Sequence, residues 1–309
     1  MTPVAVEQRV FVVGVPRSGT TLVQSLVAAH TEITSFTESH FFSRHFRLLP
    51  PWSTPVLTRD PRPRLAEFLA ENGVDPEDAV AGPLLGAAAV ARPWPRPLLP
   101  LRTREVAGEF LQLLDRLALR RGKTRWLEKT PRHLRFAPLL QRLTAPGQTT
   151  RFVHVIRDGL EVVASLLAAS RRWERAYDLD ECVRRWNADV EFATKRLAGS
   201  TADHFVFYED LTANPEAAVR RLLDELDLAW EPDLLQRYAA TASSLVTEDE
   251  TWKAGVGAGI RPSATSAHAL SEAQRARAVG RLRHDLYEQL RTRPPRAADL
   301  SLGDRNGRR

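Results

Sequence analysis

Residues 14–25, GVPRSGTTLVQS, gather hydrogen-bond donors around two glycines. Gly14 and Gly19 have the spacing of the phosphate loop G-x-x-x-x-G-K-[ST], and Thr21 fills its last place. Thr20 stands where that loop carries its lysine, and Arg17 lies inside the loop. In such a strand–loop–helix turn, backbone N–H groups and the helix dipole converge on an anion. Ser18, Thr20 and Thr21 add hydroxyl groups, and Arg17 adds a permanent charge on a planar fork. An ordinary strand-to-helix turn requires none of these four. The missing lysine argues against a nucleoside triphosphate, whose Mg²⁺ usually also takes an acidic residue at a strand end. A later strand end carries Arg157 instead, followed by Asp158, which reads as a helix N-cap. Cations and donors without a metal suit a group of lower charge than a γ-phosphoryl, such as a sulfuryl group.

The elements that must position these residues follow from apolar patterning. RVFVVGV (9–15) reads as a buried parallel strand, and 20–30 as a helix with Leu22, Val23, Leu26 and Val27 on its apolar face. Further strands are expected at 33–37, 124–128, 150–157 and 203–208. Helices are expected at 104–121, 131–143 (Thr130 as N-cap, Pro131 in the first turn), 159–170, 179–198, 215–227 and 271–292. Alternating strands and helices predict an α/β domain whose parallel sheet is covered on both faces, with ligands at the carboxyl ends of the strands. Residues 46–105 differ. They hold 11 of the chain's 21 prolines, so long elements are not expected near the proline runs. This stretch reads as an insertion or cap over the sheet, with a short helix near 64–72. Residues 253–260 form a glycine-rich loop, and the composition of 293–309 predicts a disordered tail.

A chain of 309 residues fits one large domain, here 1–292. No apolar run reaches membrane-span length, and MTPVAVEQRV has no signal-peptide pattern. The single cysteine, Cys182, excludes an internal disulfide and a cysteine metal cluster, which makes a reducing cytoplasm the natural compartment. The net charge of +6 and pI of 9.9 call for an anionic partner. No basic block interleaves with aromatics as nucleic-acid binding requires, which points to a small, highly anionic ligand.

Four blocks extend the reading: PRSGTT (16–21), WLEKTPRH (126–133), RDGLEVVAS (157–165) and FYEDLTANP (207–215). With these blocks in this order, the chain resembles the sulfotransferases that use 3′-phosphoadenosine 5′-phosphosulfate (PAPS). Within that family it is similar to the branch holding tyrosylprotein sulfotransferases and many bacterial relatives. The likeness covers about 9–44 and 124–228. It implies a single P-loop-containing three-layer α/β/α domain with a central parallel sheet. PRSGTT would take the 5′-phosphosulfate, through Arg17, Ser18, Gly19, Thr20 and Thr21. Arg157 and Ser165 would take the 3′-phosphate, with Tyr208 near the nucleotide. Residues 251–264 resemble a lid, in which Lys253 and Arg261 are further phosphate ligands. The family usually has proline at the position of Gly159, and 46–105 matches none of its blocks.

The resemblance places the catalytic glutamate at Glu38, and sulfuryl transfer to a hydroxyl does need a base within reach of that proton. Lys129 matches the lysine that neutralises the departing bridging oxygen, and Arg17 shares that work. His133, on the next helical turn, is a rival base. The reaction implied is PAPS-dependent sulfuryl transfer to a hydroxyl of a small-molecule, natural-product or glycoconjugate acceptor, releasing adenosine 3′,5′-bisphosphate (PAP), with no metal required. Sulfation of a tyrosyl peptide, a P-loop kinase or NTPase, and a non-catalytic nucleotide-binding protein are the alternatives.

Overall fold

The computed structural model describes residues 5–50, 54–75, 85, 96–173, 175–245, 260 and 266–292. Five parallel strands form one sheet in the order β2-β5-β1-β6-β7. They are β1 (Gln8–Gly14), β2 (Ile33–Phe36), β5 (Arg125–Lys129), β6 (Thr149–Ile156) and β7 (Asp203–Phe207). Between β2 and β5, β3 (Phe46–Leu49) and β4 (Thr54–Leu57) make an antiparallel hairpin.

Strand periodicity explains the layers. Phe11 and Val13 of β1 point to one face, where Phe36, Trp126 and Phe152 join them in a largely aromatic cluster. Val10 and Val12 point to the other face, with Leu127, Val153, Val155 and Val206. Both faces are covered, which is why β1 is buried along its whole length. The helix Thr103–Arg120 packs on the aromatic face. The helices Thr20–Ala28, Pro215–Glu225 and Leu234–Leu245 pack on the valine face. A third cluster, beside the ends of β6 and β7, joins the helices Gly159–Ser170 and Leu179–Gly199.

Several expectations are revised. The helix expected at 131–143 is a 3₁₀ turn, Pro131–Phe136, followed by a separate helix, Ala137–Arg142. Pro138 has no N–H for a continuous i→i−4 ladder, so the chain starts a helix afresh. The helix expected at 271–292 is two helices, Glu272–Val279 and His284–Arg291. Asn187 clamps the break: its amide donates to the Arg281 carbonyl at 2.8 Å, and its oxygen accepts from the Arg283 N–H at 2.9 Å. The helix Leu234–Leu245 was not anticipated. The hairpin fits the proline-rich segment because both of its strands are edges, where Pro55 breaks no central ladder. The short helix expected at 64–72 lies at Arg62–Glu71. The tail 293–309 and most of the loop 251–264, with Lys253 and Arg261, lie outside the described residues.

Gly159 now has a packing reason. A Cβ there would lie 2.9 Å from both Leu282 Cδ2 and Trp186 Cε2. The Trp186 indole is pinned, because its N–H donates to the Arg157 carbonyl at 3.1 Å. The indole occupies the space a proline ring would fill. Gly159→Ala is therefore expected to lower stability by about 1–3 kcal/mol through overpacking. Urea denaturation checks this, and unchanged stability would show that Trp186 can yield.

Candidate active site

Every strand of the parallel sheet delivers one expected residue at its carboxyl end. In spatial order these are Glu38 two residues past β2, Lys129 at the end of β5, Arg17 three past β1, Arg157 one past β6 and Tyr208 one past β7. One edge of the sheet thus carries a carboxylate arm on one side of the loop and an arginine arm on the other.

The loop is held by close approaches. Gly19, at φ 99°, caps the helix Thr20–Ala28 in the left-handed region. A Cβ on Gly19 would lie 2.5 Å from Tyr208 Cδ2. Only glycine satisfies both conditions. Gly19 has no side chain to cap the helix, and the first intrahelical bond runs from the Val23 N–H to its carbonyl at 3.2 Å. The N–H groups of Thr20, Thr21 and Leu22 precede that bond and face the loop. Ser18 is fully buried, and its Oγ has no hydrogen-bond partner among the described residues. Arg17 is strained at φ 77°, another left-handed conformation. An unpartnered buried hydroxyl beside open helix N–H groups fits a bound anion.

Two guanidinium groups meet on the arginine arm. Arg17 Nε donates to Ser165 Oγ at 3.2 Å. Arg157 Nη1 reaches the Arg17 carbonyl at 3.4 Å, and its guanidinium lies 4.3 Å from the Tyr208 ring centroid. The expected Arg157–Ser165 pair is therefore joined through Arg17. Glu161 lies 3.4 Å from Arg157 and also accepts the Ser266 N–H at 2.8 Å. Burial, and then the Arg157 charge, holds Arg17 below the ordinary guanidinium range. Asp158 accepts from the Glu161 N–H at 3.0 Å, so it is the N-cap expected.

On the carboxylate arm, Lys129 Nζ pairs with Glu38 Oε1, and His40 Nε2 lies 3.3 Å from Glu38 Oε2. Lys129 is 1% exposed. Its strand neighbour Glu128 points to the opposite face, so the sequence pair Glu128–Lys129 is not an ion pair in space. Glu128 is a fully buried hub. Its Oε1 accepts from Ser39 N at 3.1 Å, Ser39 Oγ at 2.8 Å and Thr130 Oγ1 at 2.5 Å, and its Oε2 faces His133 Nδ1 at 3.0 Å. Burial raises its carboxyl pKa, but His133, Thr130 and Ser39 outweigh that and hold it below the usual range. Ser39 follows Glu38 and Thr130 follows Lys129, so this one carboxylate ties the two arm segments together. His133 also accepts the Phe42 N–H on Nε2 at 3.2 Å and is fully buried. Both ring nitrogens of His133 are thus engaged by protein groups, which places it in the Glu128 network, whereas Glu38 pairs with Lys129. Glu128, Ser39 and His40 were missed. Glu128 lay inside the quoted block WLEKTPRH, but strand alternation was needed to separate it from Lys129.

The model of the Sulfotransferase family matches residues 9–232. The chain is 24% identical over 239 residues to protein-tyrosine sulfotransferase A of Caenorhabditis elegans, covering 73% of this chain and 51% of that protein. It is 26% identical over 233 residues to protein-tyrosine sulfotransferase 2 of Gallus gallus, covering 73% and 53% respectively. The chain spans about half or less of the length of several such curated relatives. The sulfotransferase domain of the Synechococcus PCC 7002 olefin synthase superposes with TM-score 0.52 at 15% identity, covering 96% of this chain and 98% of that one. A mouse sulfotransferase complexed with PAP superposes with TM-score 0.50 at 10% identity, covering 93% and 85%. These likenesses bear on the fold, which is the P-loop-containing α/β arrangement expected.

Two outcomes follow from the carboxylate arm. Glu128→Ala strands the buried partners Ser39, Thr130 and His133. It is expected to cost about 3 kcal/mol or more in chemical denaturation, with Glu128→Gln milder. Burial pushes His40 and His45 down to about 4. The unfolded chain protonates these residues near 6.5, so it binds more protons between the two values. Stability should therefore fall as pH drops from about 6.5 to about 4, and His45→Gln should flatten that slope in pH-dependent melting.

Proposed function

Because this chain belongs to the sulfotransferase family, we propose that it transfers a sulfuryl group from PAPS to a hydroxyl of a small-molecule, natural-product or glycoconjugate acceptor. The observation that carries this reading is the Arg17–Arg157 pair, two like charges held at one loop with Glu161 as the carboxylate beside Arg157. Like charges brought together cost energy unless an anion lies between them. When bound, PAPS supplies an activated sulfuryl group on a phosphate leaving group.

The chain's own residues divide the work in the order of the strands. The N–H groups at 20–22, the hydroxyls of Ser18, Thr20 and Thr21, and Arg17 bind the phosphosulfate end. Arg157, with Ser165, holds the 3′-phosphate, and Tyr208 supports the Arg157 plane. Glu38 receives the proton of the acceptor hydroxyl. Lys129 fixes the Glu38 carboxylate and adds positive charge beside Arg17, where negative charge develops. This cation reaches the site from β5, one strand away from β1, while Thr20 lies buried at the usual lysine position.

Thermal shift separates the readings. PAP should stabilise the protein, and neither ADP nor ADP with Mg²⁺ should match it. Stabilisation only by ADP with Mg²⁺ would mean an NTPase-like site. Glu38→Gln is expected to retain PAP binding and lose turnover by about 100-fold or more, the usual scale of general-base removal. Arg157→Ala should weaken PAP by about 2 kcal/mol while leaving 5′-AMP affinity less affected. Equal losses for both ligands would contradict the 3′-phosphate role.

A further inference from the structure

Beside the loop lies a cleft of about 770 Å³. Pro16 is its only contribution from the loop. Gly19, Thr20, Thr21, Arg157, Ser165 and Tyr208 do not line it, so it is separate from the nucleotide side of the site. Its walls are the segment after Glu38 (43–48), Arg59 just past β4, the turn after Lys129 (132–136) and the stretch 175–189. Glu38 and Lys129 do not line it either; it adjoins the carboxylate arm through the segments that follow them in the chain, on a side open to an acceptor.

The wall chemistry is one-sided. Among the described residues, eight arginines line the cleft, with no lysine and two carboxylates, Glu181 and Asp189. The described lining thus carries an excess of six positive charges. The two acids pin some of the forks: Asp189 holds Arg135 at 2.9 Å, and Glu181 holds Arg175 and Arg185 at 2.8 Å each. Arg44, Arg47, Arg59, Arg132 and Arg184 make no ion pair or side-chain hydrogen bond among the described residues. Five unpaired like charges around one concavity repel one another and focus positive potential into it. Planar forks recognise carboxylate, phosphate and sulfate groups bidentately, as lysine cannot. The volume is that of a small-ligand site, not of an extended polymer groove.

We propose that the acceptor is a small oligoanion, a hydroxyl compound of metabolite or oligosaccharide size bearing several carboxylate, phosphate or sulfate groups, seated in this arginine cleft. The proposal rests on the sulfotransferase reading for the step that follows binding, but binding itself can be tested alone. Trigalacturonate and neutral galactotriose share a hydroxyl-rich backbone and differ in their carboxylates. By calorimetry, with and without PAP, trigalacturonate should bind at least tenfold more tightly, and added salt should erode the difference. Arg44→Glu, Arg47→Glu and Arg184→Glu should each weaken trigalacturonate about tenfold or more and leave the Kd for PAP unchanged. With radiolabelled PAPS, transfer should favour trigalacturonate over galactotriose, through a lower KM.

Equal binding of the two trisaccharides, or no effect of the charge reversals, would overturn the proposal. An acidic tyrosyl peptide such as Glu-Glu-Tyr-Glu-Glu that binds and reacts better than trigalacturonate would replace the small oligoanion with a peptide. If trigalacturonate binds as expected but PAP does not, the donor reading fails and the cleft assignment stands.

Discussion

Five strands running the same way are the constraint from which the rest of the site follows. A parallel strand cannot return by a tight turn, so each is followed by a crossover that leaves its carboxyl end on one edge of the sheet. Residues as distant as Arg17, Glu38, Lys129, Arg157 and Tyr208 therefore meet there. The order β2-β5-β1-β6-β7 also sorts them. The loop after the central strand takes the middle, the acid–lysine pair lies to one side, and the second arginine lies to the other. The separation of the acid–lysine pair from the arginine pair is a consequence of strand order.

Charge is organised by the same edge. On one arm, carboxylates anchor: the buried Glu128 gathers four hydrogen bonds, and the part-buried Glu38 is held by Lys129 and flanked by His40. Hydrogen bonds and ion pairs offset much of the desolvation cost of such a carboxylate, and removing the partners would leave that cost uncompensated. On the other arm, and in the neighbouring cleft, cations exceed anions. Excess charge of one sign in a concave site binds ligands of the other sign, at some expense to the stability of the empty site. Tyr208 links packing to electrostatics here. Its ring lies under the Arg157 guanidinium and against Gly19, so one side chain sets both the arginine plane and the loop's need for glycine.

Much of this was legible in the chain. The strands of the main sheet fell where β-branched and aromatic runs placed them, because strands buried on both faces must be apolar throughout. The strand–loop–helix turn at 14–21 and the positions of Arg157 and Glu38 just past strand ends were readable from the apolar runs that precede them. Other features were not readable, for definable reasons. Pro138 restarts a helix whose apolar pattern continues through it. Another helix ends at Gly280, and Asn187 of a distant helix clamps the break that follows. The helix Leu234–Leu245 is fixed by its packing on the valine-face cluster more than by any start signal of its own.

The amino-acid sequence by itself determined the α/β class, which follows from periodicity, and the family, which four motif blocks resemble in order. Tertiary structure decided the rest. It paired Lys129 with Glu38 instead of its neighbour Glu128, and it set His133 inside a buried network. It joined Ser165 to Arg17, made Gly159 a packing necessity under Trp186, and gathered arginines from four separate segments into one cleft. Each of these depends on which face a side chain takes and what lies opposite it, and only the packed sheet and its crossovers supply that.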